Sequence, residues 1–260
     1  MSKDKIRYYN SFSDDFFQTD KEYKLPENYQ WIKSGFRFKF LSAITYSLAL
    51  IFSNIYCRLF LHVKIKGAKK LRREKGGFFL YGNHTQPIGD VFNPALACFP
   101  KRIYTVVSAA NMYLPVIGKI LPYLGALPIP DSLNGMKKFT DALERRIKSG
   151  HPIIIYPEAH LWEYYTDIRP FLETSFKYPV NLDMPVYCMT TTYQKRKHAK
   201  KPKIIIYIDG PVNIFGDTKK QRAVNLRDAV YAKMKERALN SNCNYICYRH
   251  NYKKDGTADK

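Results

Sequence analysis

The chain has 260 residues, 45% of them hydrophobic and 25% charged, the make-up of a globular protein with a sizeable core; disordered, collagenous and polytopic membrane classes are excluded. Its 43 Lys and Arg against 22 Asp and Glu leave a net charge of +21, which points to an anionic partner such as nucleic acid, phospholipid or a phosphorylated substrate. The length favours one large domain over two small ones.

Residues 1–34 are polar, charged and rich in Tyr and Phe without a sustained period, and read as an extended or loosely helical arm. They hold no apolar core followed by small residues, so no cleaved secretion signal is expected. From Phe40 to Cys57 the sequence FLSAITYSLALIFSNIYC runs 18 residues without a charge, bracketed by Arg37, Lys39 and Arg58. That is the lower edge for a spanning helix, which needs about 20 residues. Ser42, Thr45, Ser47, Ser53 and Asn54 make it polar for a span, whereas Trp31, Tyr46, Tyr56 and the flanking cations suit a helix lying in one leaflet. A buried core helix of a soluble domain is the competing reading.

Short apolar runs then alternate with helical stretches. His62–Lys66, Gly77–Tyr81, Ile103–Ala109, Pro152–Tyr156, Met184–Thr192 and Lys203–Asp209 read as strands. Asn111–Leu124, interrupted by Pro115 and Pro122, Met136–Ser149 and Lys219–Leu239 read as helices, and Gly150 closes the second of them. Continuous apolar strands alternating with helices predict an α/β fold with a mostly parallel sheet flanked by helices. The expected division is an N-terminal arm and membrane-associated helix over 1–61, an α/β domain over 62–240 and a tail over 241–260. Of the five cysteines, Cys57, Cys98 and Cys188 sit in apolar stretches, and Cys243 and Cys247 lack a second pair for zinc; all read as structural thiols in a reducing compartment.

Open parallel sheets carry their sites in loops past the carboxyl ends of strands. One such loop follows GFFLY and holds Asn83, His84, Thr85, Gln86, Pro87, Ile88, Gly89 and Asp90; the other follows PIIIY and holds Pro157, Glu158, Ala159 and His160. Histidine takes a proton near neutral pH, and a carboxylate on its other ring nitrogen fixes the tautomer. His84 and Asp90 are therefore candidates for a base and its orienting acid.

Asn83-His84 with Asp90 downstream, a strand ending Tyr156-Pro157-Glu158 and a strand opening Met184-Pro185-Val186 resemble, in order and spacing, the glycerolipid acyltransferase family, in particular its lysophosphatidic acid acyltransferase (1-acylglycerol-3-phosphate O-acyltransferase) branch. The resemblance covers roughly residues 60–212. It implies transfer of an acyl group from a coenzyme A or acyl carrier protein thioester to a glycerol hydroxyl, giving phosphatidic acid from 1-acylglycerol-3-phosphate, without metal or prosthetic group. By the same resemblance His84 deprotonates the acceptor, Asp90 holds His84 and Glu158 organises the acceptor; Asn83, His160 and, eleven residues past Glu158, Arg169 are the further candidates to face the substrate. Backbone N–H groups around Asn83 to Asp90 would stabilise the oxyanion. It also implies a membrane-proximal N-terminal helical segment; with the basic clusters Lys64–Lys75 and Lys195–Lys203 set against anionic lipid, the expectation is a monotopic or peripheral protein on the cytoplasmic face of an anionic phospholipid membrane, with no nucleic acid as partner.

The sequence departs from the family pattern at three places. Five residues, Thr85 to Gly89, separate His84 from Asp90 where the family has four; a regular helix would swing the carboxylate by about 100° for the extra residue, so a non-helical loop at Pro87 and Gly89 is required. Asp131 and Leu161 stand where the family's second and third motifs carry arginines. An acceptor phosphate must then find other cations; Arg169 is the first candidate, with Lys137, Lys138, Lys101 and Arg102 behind it. Two rival readings are a metal-dependent hydrolase using His84, Asp90, Glu158 and His160 as ligands, and a basic nucleic-acid-binding module.

Overall fold

A computed structural model describes residues 5–17 and 23–251. In chain order the elements are β1 (Lys5–Tyr9), α1 (Phe36–Ile55) continued by a π-turn at Tyr56–Phe60, β2 (Lys64–Lys66), α2 (Lys69–Arg73), β3 (Phe79–Gly82) and α3 (Gly89–Cys98). There follow β4 (Tyr104–Val107), a 3-10 turn (Ala109–Tyr113), α4 (Ile117–Leu124), β5 (Ala126–Pro128), α5 (Leu133–Lys148) and β6 (Ile153–Ile155). After a 3-10 turn (Glu173–Phe176) come α6 (Lys177–Leu182), β7 (Val186–Gln194), β8 (Lys203–Asp209), α7 (Lys219–Ala238) and β9 (Ile246–His250).

Seven strands form one sheet in the order β2-β8-β7-β3-β6-β4-β5. Every pairing is parallel except β7 with β8, which runs antiparallel from Cys188↔Asp209 to Gln194↔Lys203. The mostly parallel sheet flanked by helices is thus as the apolar runs imply. Alternation along β3 divides the core: Phe79 and Tyr81 join the layer containing Phe139 and Leu143 of α5 and Val230 of α7, while Phe78 and Leu80 join that containing Ala95 and Cys98 of α3.

Local signals explain the boundaries. In α5, Ser132 Oγ accepts the N–H of Gly135 at 3.1 Å, so the helix begins three residues before Met136. Pro115 divides the expected Asn111–Leu124 helix into a 3-10 turn and α4.

Two features depart from the sequence reading. The helix begins at Phe36, taking in Arg37 and Lys39, and the most apolar 18 residues within Phe36–Phe60 have a mean hydropathy of 1.5 yet only 17% of them are buried. Phe40, Ile44, Leu48, Ile51, Ile55 and Leu59 follow one another on its exposed face, whereas its buried side chains are Ser42, Ser53 and Cys57. A core helix buries its apolar side, so that reading is set aside. Second, the N-terminal arm carries β1, which pairs in parallel with β9 from Lys5↔Ile246 to Tyr9↔His250. These two strands form a small separate sheet across the loop that follows β6.

Candidate active site

The carboxyl end of β3 places Asn83 and His84. Asn83 Nδ2 donates to the Thr191 carbonyl at 3.0 Å and its Oδ1 accepts the Thr191 N–H at 2.7 Å, stapling the loop to β7. His84 follows with a quarter of its side chain exposed, and its Nδ1 lies 2.9 Å from Asp90 Oδ2. That oxygen also accepts the N–H groups of Thr85 and Gln86, each at 2.8 Å. The five-residue spacer is therefore accommodated as foreseen: Asn83 to Ile88 stay outside the helix, and Asp90 lies in the first turn of α3, where the helix dipole favours negative charge. Burial pushes the Asp90 carboxyl above its ordinary range, and the bonds to His84, Gln86 and Thr85 oppose that shift.

Tyr156 supports the pair. Its ring stacks on His84 with centroids 4.6 Å apart, and its hydroxyl donates to the Asp90 carbonyl at 2.6 Å. Burial raises the Tyr156 phenol well above its usual range, so it remains a neutral donor. Beneath the loop, Tyr193 shares hydroxyl bonds with Thr85 at 2.7 Å and Gln86 at 2.9 Å. With Nδ1 committed to Asp90, the His84 Nε2 has no protein partner among the described residues.

Glu158 and Arg169 do not have the substrate-facing roles expected of them. Glu158 Oε2 accepts the His84 N–H at 3.0 Å and Oε1 accepts the Arg169 N–H at 2.9 Å. The Arg169 guanidinium closes on the same carboxylate at 3.2 Å, and neither side chain has exposed surface. Arg169 also donates to the His160 and Phe12 carbonyls and lies over the Trp162 ring at 4.8 Å. Its planar fork is thus enclosed by protein acceptors and cannot take an acceptor phosphate. Asn83, fully buried, is likewise a brace and not a substrate contact. His160 keeps part of its surface open but gives Nδ1 to Asp15 at 2.9 Å.

Of the other cations considered for a phosphate, Lys101 and Arg102 precede β4 and so lie at the amino ends of the parallel strands, the end opposite His84. Lys101 donates to the Gly76 carbonyl and Arg102 to Ser42 and the Tyr123 carbonyl. Lys137 and Lys138 are exposed on α5. Among the described residues, no three His, Cys, Asp or Glu converge in a way that would hold a metal ion; of the four ligands of the hydrolase reading, Glu158 is engaged with Arg169, His160 with Asp15, and His84 and Asp90 with each other.

Parts of this site escaped the sequence reading. Trp162 donates its backbone N–H to the His84 carbonyl at 3.1 Å and its indole N–H to the Asp14 carbonyl at 2.8 Å. Tyr9, Phe12 and Phe16 of the arm surround its ring. The rim of the site is apolar: Ile88 and Val91 are exposed beside the dyad. Phe92 joins this rim to α1 by an edge contact with Phe52 at 5.5 Å.

Comparison with known proteins gives the family and the fold. Residues 62–192 match the family described as Acyltransferase. Among solved structures, the 1-acyl-sn-glycerophosphate (LPA) acyltransferase PlsC from Thermotoga maritima shares the fold, with a TM-score of 0.54 and 15% identity over 81% of this chain and 86% of that one. No curated protein matches.

Proposed function

The chain belongs to the acyltransferase family, and from that premise we propose that it moves a fatty acyl group from a coenzyme A or acyl carrier protein thioester to the free hydroxyl of a lysophospholipid. The resemblance favours 1-acylglycerol-3-phosphate as acceptor, with phosphatidic acid as product. The observation that carries this reading is the His84–Asp90 pair at 2.9 Å with Nε2 unpartnered, set in an apolar rim continuous with α1.

In the proposed reaction the acceptor hydroxyl gives its proton to His84 Nε2 while its oxygen bonds to the thioester carbonyl carbon. Asp90 holds the tautomer and stabilises the imidazolium. The tetrahedral intermediate then collapses: the carbon–sulfur bond breaks and the thiolate recovers the proton from His84. Of the backbone donors expected to hold the oxyanion, those of His84, Thr85 and Gln86 bond to Glu158 and Asp90 and that of Asp90 to the Gln86 carbonyl. The N–H groups of Ile88 and Gly89, at the start of α3, have no protein acceptor among the described residues and take that role here.

The exposed stripe of α1 and the basic surface hold the enzyme on the cytoplasmic face of an anionic membrane, as a monotopic or peripheral protein. Five free thiols accord with a reducing compartment. A second reading of the acceptor is favoured by one observation: Asp131 and Leu161 replace the family's arginines and Arg169 is enclosed, which suits a lysophospholipid whose phosphate is esterified at both ends. Incubation with acyl-coenzyme A or acyl carrier protein thioesters and a panel of lysolipids, with products identified by mass, tests both readings. Absence of any acylated lysolipid would overturn them.

A further inference from the structure

A cavity of about 220 Å³ lies at the other end of the sheet from His84. Arg102 precedes β4, Gly125 precedes β5 and His151 precedes β6, so these lining residues mark the end opposite His84. The wall is cationic and aromatic: Lys33, Lys39, Arg102, Arg146 and His151 line it with Tyr104, and no Asp or Glu is among the lining residues. Tyr104 is the hub. The Arg146 guanidinium lies 4.5 Å from its ring centroid, that of Arg102 5.5 Å, and the His151 ring meets it edge-on at 5.4 Å.

Lys33, Lys39, Arg102 and Arg146, the permanent cations here, have no carboxylate partner among the described residues. Among the described residues, Lys33, Lys39 and Arg146 donate no side-chain hydrogen bond and pair with no carboxylate. The Nε–H groups of Arg102 and Arg146 are buried without an acceptor. Burial lowers the affinity of Arg146 and His151 for their protons, and neighbouring arginines lower it further. Like charges gathered in a part-desolvated cavity are unfavourable until an anion enters, and guanidinium forks match phosphate oxygens.

We propose that this cavity binds the phosphate of a membrane lipid headgroup, at a site distinct from the His84 centre. What selects a lipid over a free phosphate is the position of α1. Lys39 and Ser42 of α1 line the cavity, and beside them Phe36, Phe40 and Leu41 begin the exposed apolar stripe. A phosphate seated among the cations leaves its acyl chains along that stripe. From Ser42 to Phe52, which touches the rim of the active site, is about 15 Å of helix, so one membrane surface meets both.

The test measures binding without turnover. The full chain is titrated with phosphatidylcholine vesicles doped with phosphatidylglycerol, a phosphodiester lipid that is not the proposed product, so failure here leaves the acyltransferase reading standing. Saturable binding is expected, with Lys33→Gln/Arg146→Gln weakening it about 30-fold, at roughly fivefold for each cation. Lys69→Gln/Lys75→Gln removes the same charge from another basic cluster and is expected to weaken binding less than about fivefold. Lys33→Gln/Lys39→Gln leaves Arg146 in place, and gives the same ranking if the arginine variant does not fold. Equal losses from the cavity and control pairs would overturn the site in favour of diffuse charge. Inorganic phosphate that displaces the protein from the vesicles with micromolar affinity would overturn the lipid assignment in favour of a soluble anion.

Discussion

Arg169 and Glu158 form a salt bridge at 3.2 Å in which neither side chain has exposed surface, and the same carboxylate holds the His84 N–H at 3.0 Å. The pair therefore acts on the reaction through the backbone of the base and not through substrate. Arg169→Leu leaves Glu158 as an unpaired buried charge, and is expected to destabilise the fold by about 3–5 kcal/mol in urea unfolding. An arginine that bound acceptor phosphate would behave differently: its loss would raise KM for phosphate-bearing acceptors with the unfolding midpoint unchanged.

Removing the base itself separates chemistry from structure. His84 is part-exposed and Asp90 keeps the N–H groups of Thr85 and Gln86 without it. His84→Ala is expected to lower kcat by about 10²- to 10⁴-fold, the usual contribution of general-base help, with the circular dichroism spectrum retained. Full turnover in this variant would remove His84 from the mechanism.

Asp90 gives a prediction with a pH sign. Its carboxyl is raised by burial, so the native state binds the proton more tightly than the unfolded chain does. Stability contributed by this group is present at low pH and is lost as pH climbs from about 4, the ordinary carboxylate value, through the raised native one. Asp90→Asn removes the titration while its amide oxygen can still accept from Thr85 and Gln86. The variant is expected to gain stability relative to the parent as pH rises from 4 to 7, while kcat falls. Urea midpoints at the two pH values check this; parallel curves would show that Asp90 does not titrate abnormally.

Much of this site was legible because its information is local. Asn83, His84 and Asp90 lie close together in the chain, and Pro87 between them foretells the non-helical spacer, although Gly89 already opens α3. The sheet was legible from continuous apolar runs such as PIIIY. What the sequence hid was tertiary competition for charge. Nothing local distinguishes Arg169 as a phosphate ligand from Arg169 as a buried partner, because its surroundings come from Phe12, Glu158 and Trp162. The β1–β9 pairing was equally hidden, since the two strands are some 240 residues apart, as the His250–Asn10 contact shows, and neither alternates cleanly.

The loop after β6 stores local strain that a substitution can release. Ala159 adopts a φ of 62°, in the left-handed region that favours glycine. Left-handed backbone costs a non-glycine residue roughly 1–2 kcal/mol, partly offset in glycine by the greater freedom of its unfolded state. Ala159 is exposed, so Ala159→Gly loses no packing. It is expected to stabilise by about 0.5–1 kcal/mol, seen as a rise in Tm of roughly 2 °C. A fall in Tm would mean that the loop derives its rigidity from the alanine.

The stripe on α1 distinguishes lipid contact from hidden core contact. Leu48 is 61% exposed and Ile51 60%, so Leu48→Gln/Ile51→Gln should leave the folded protein's own stability within about 0.5 kcal/mol, and glutamine keeps the helix. Each apolar side chain moved from water into lipid contributes about 1.5–3 kcal/mol. Losing two is expected to weaken partitioning into phosphatidylcholine vesicles by at least about 100-fold. Neutral vesicles and uncharged substitutions keep electrostatics out of the comparison. A large fall in stability with partitioning unchanged would place these side chains inside the protein and remove the membrane from the account of α1.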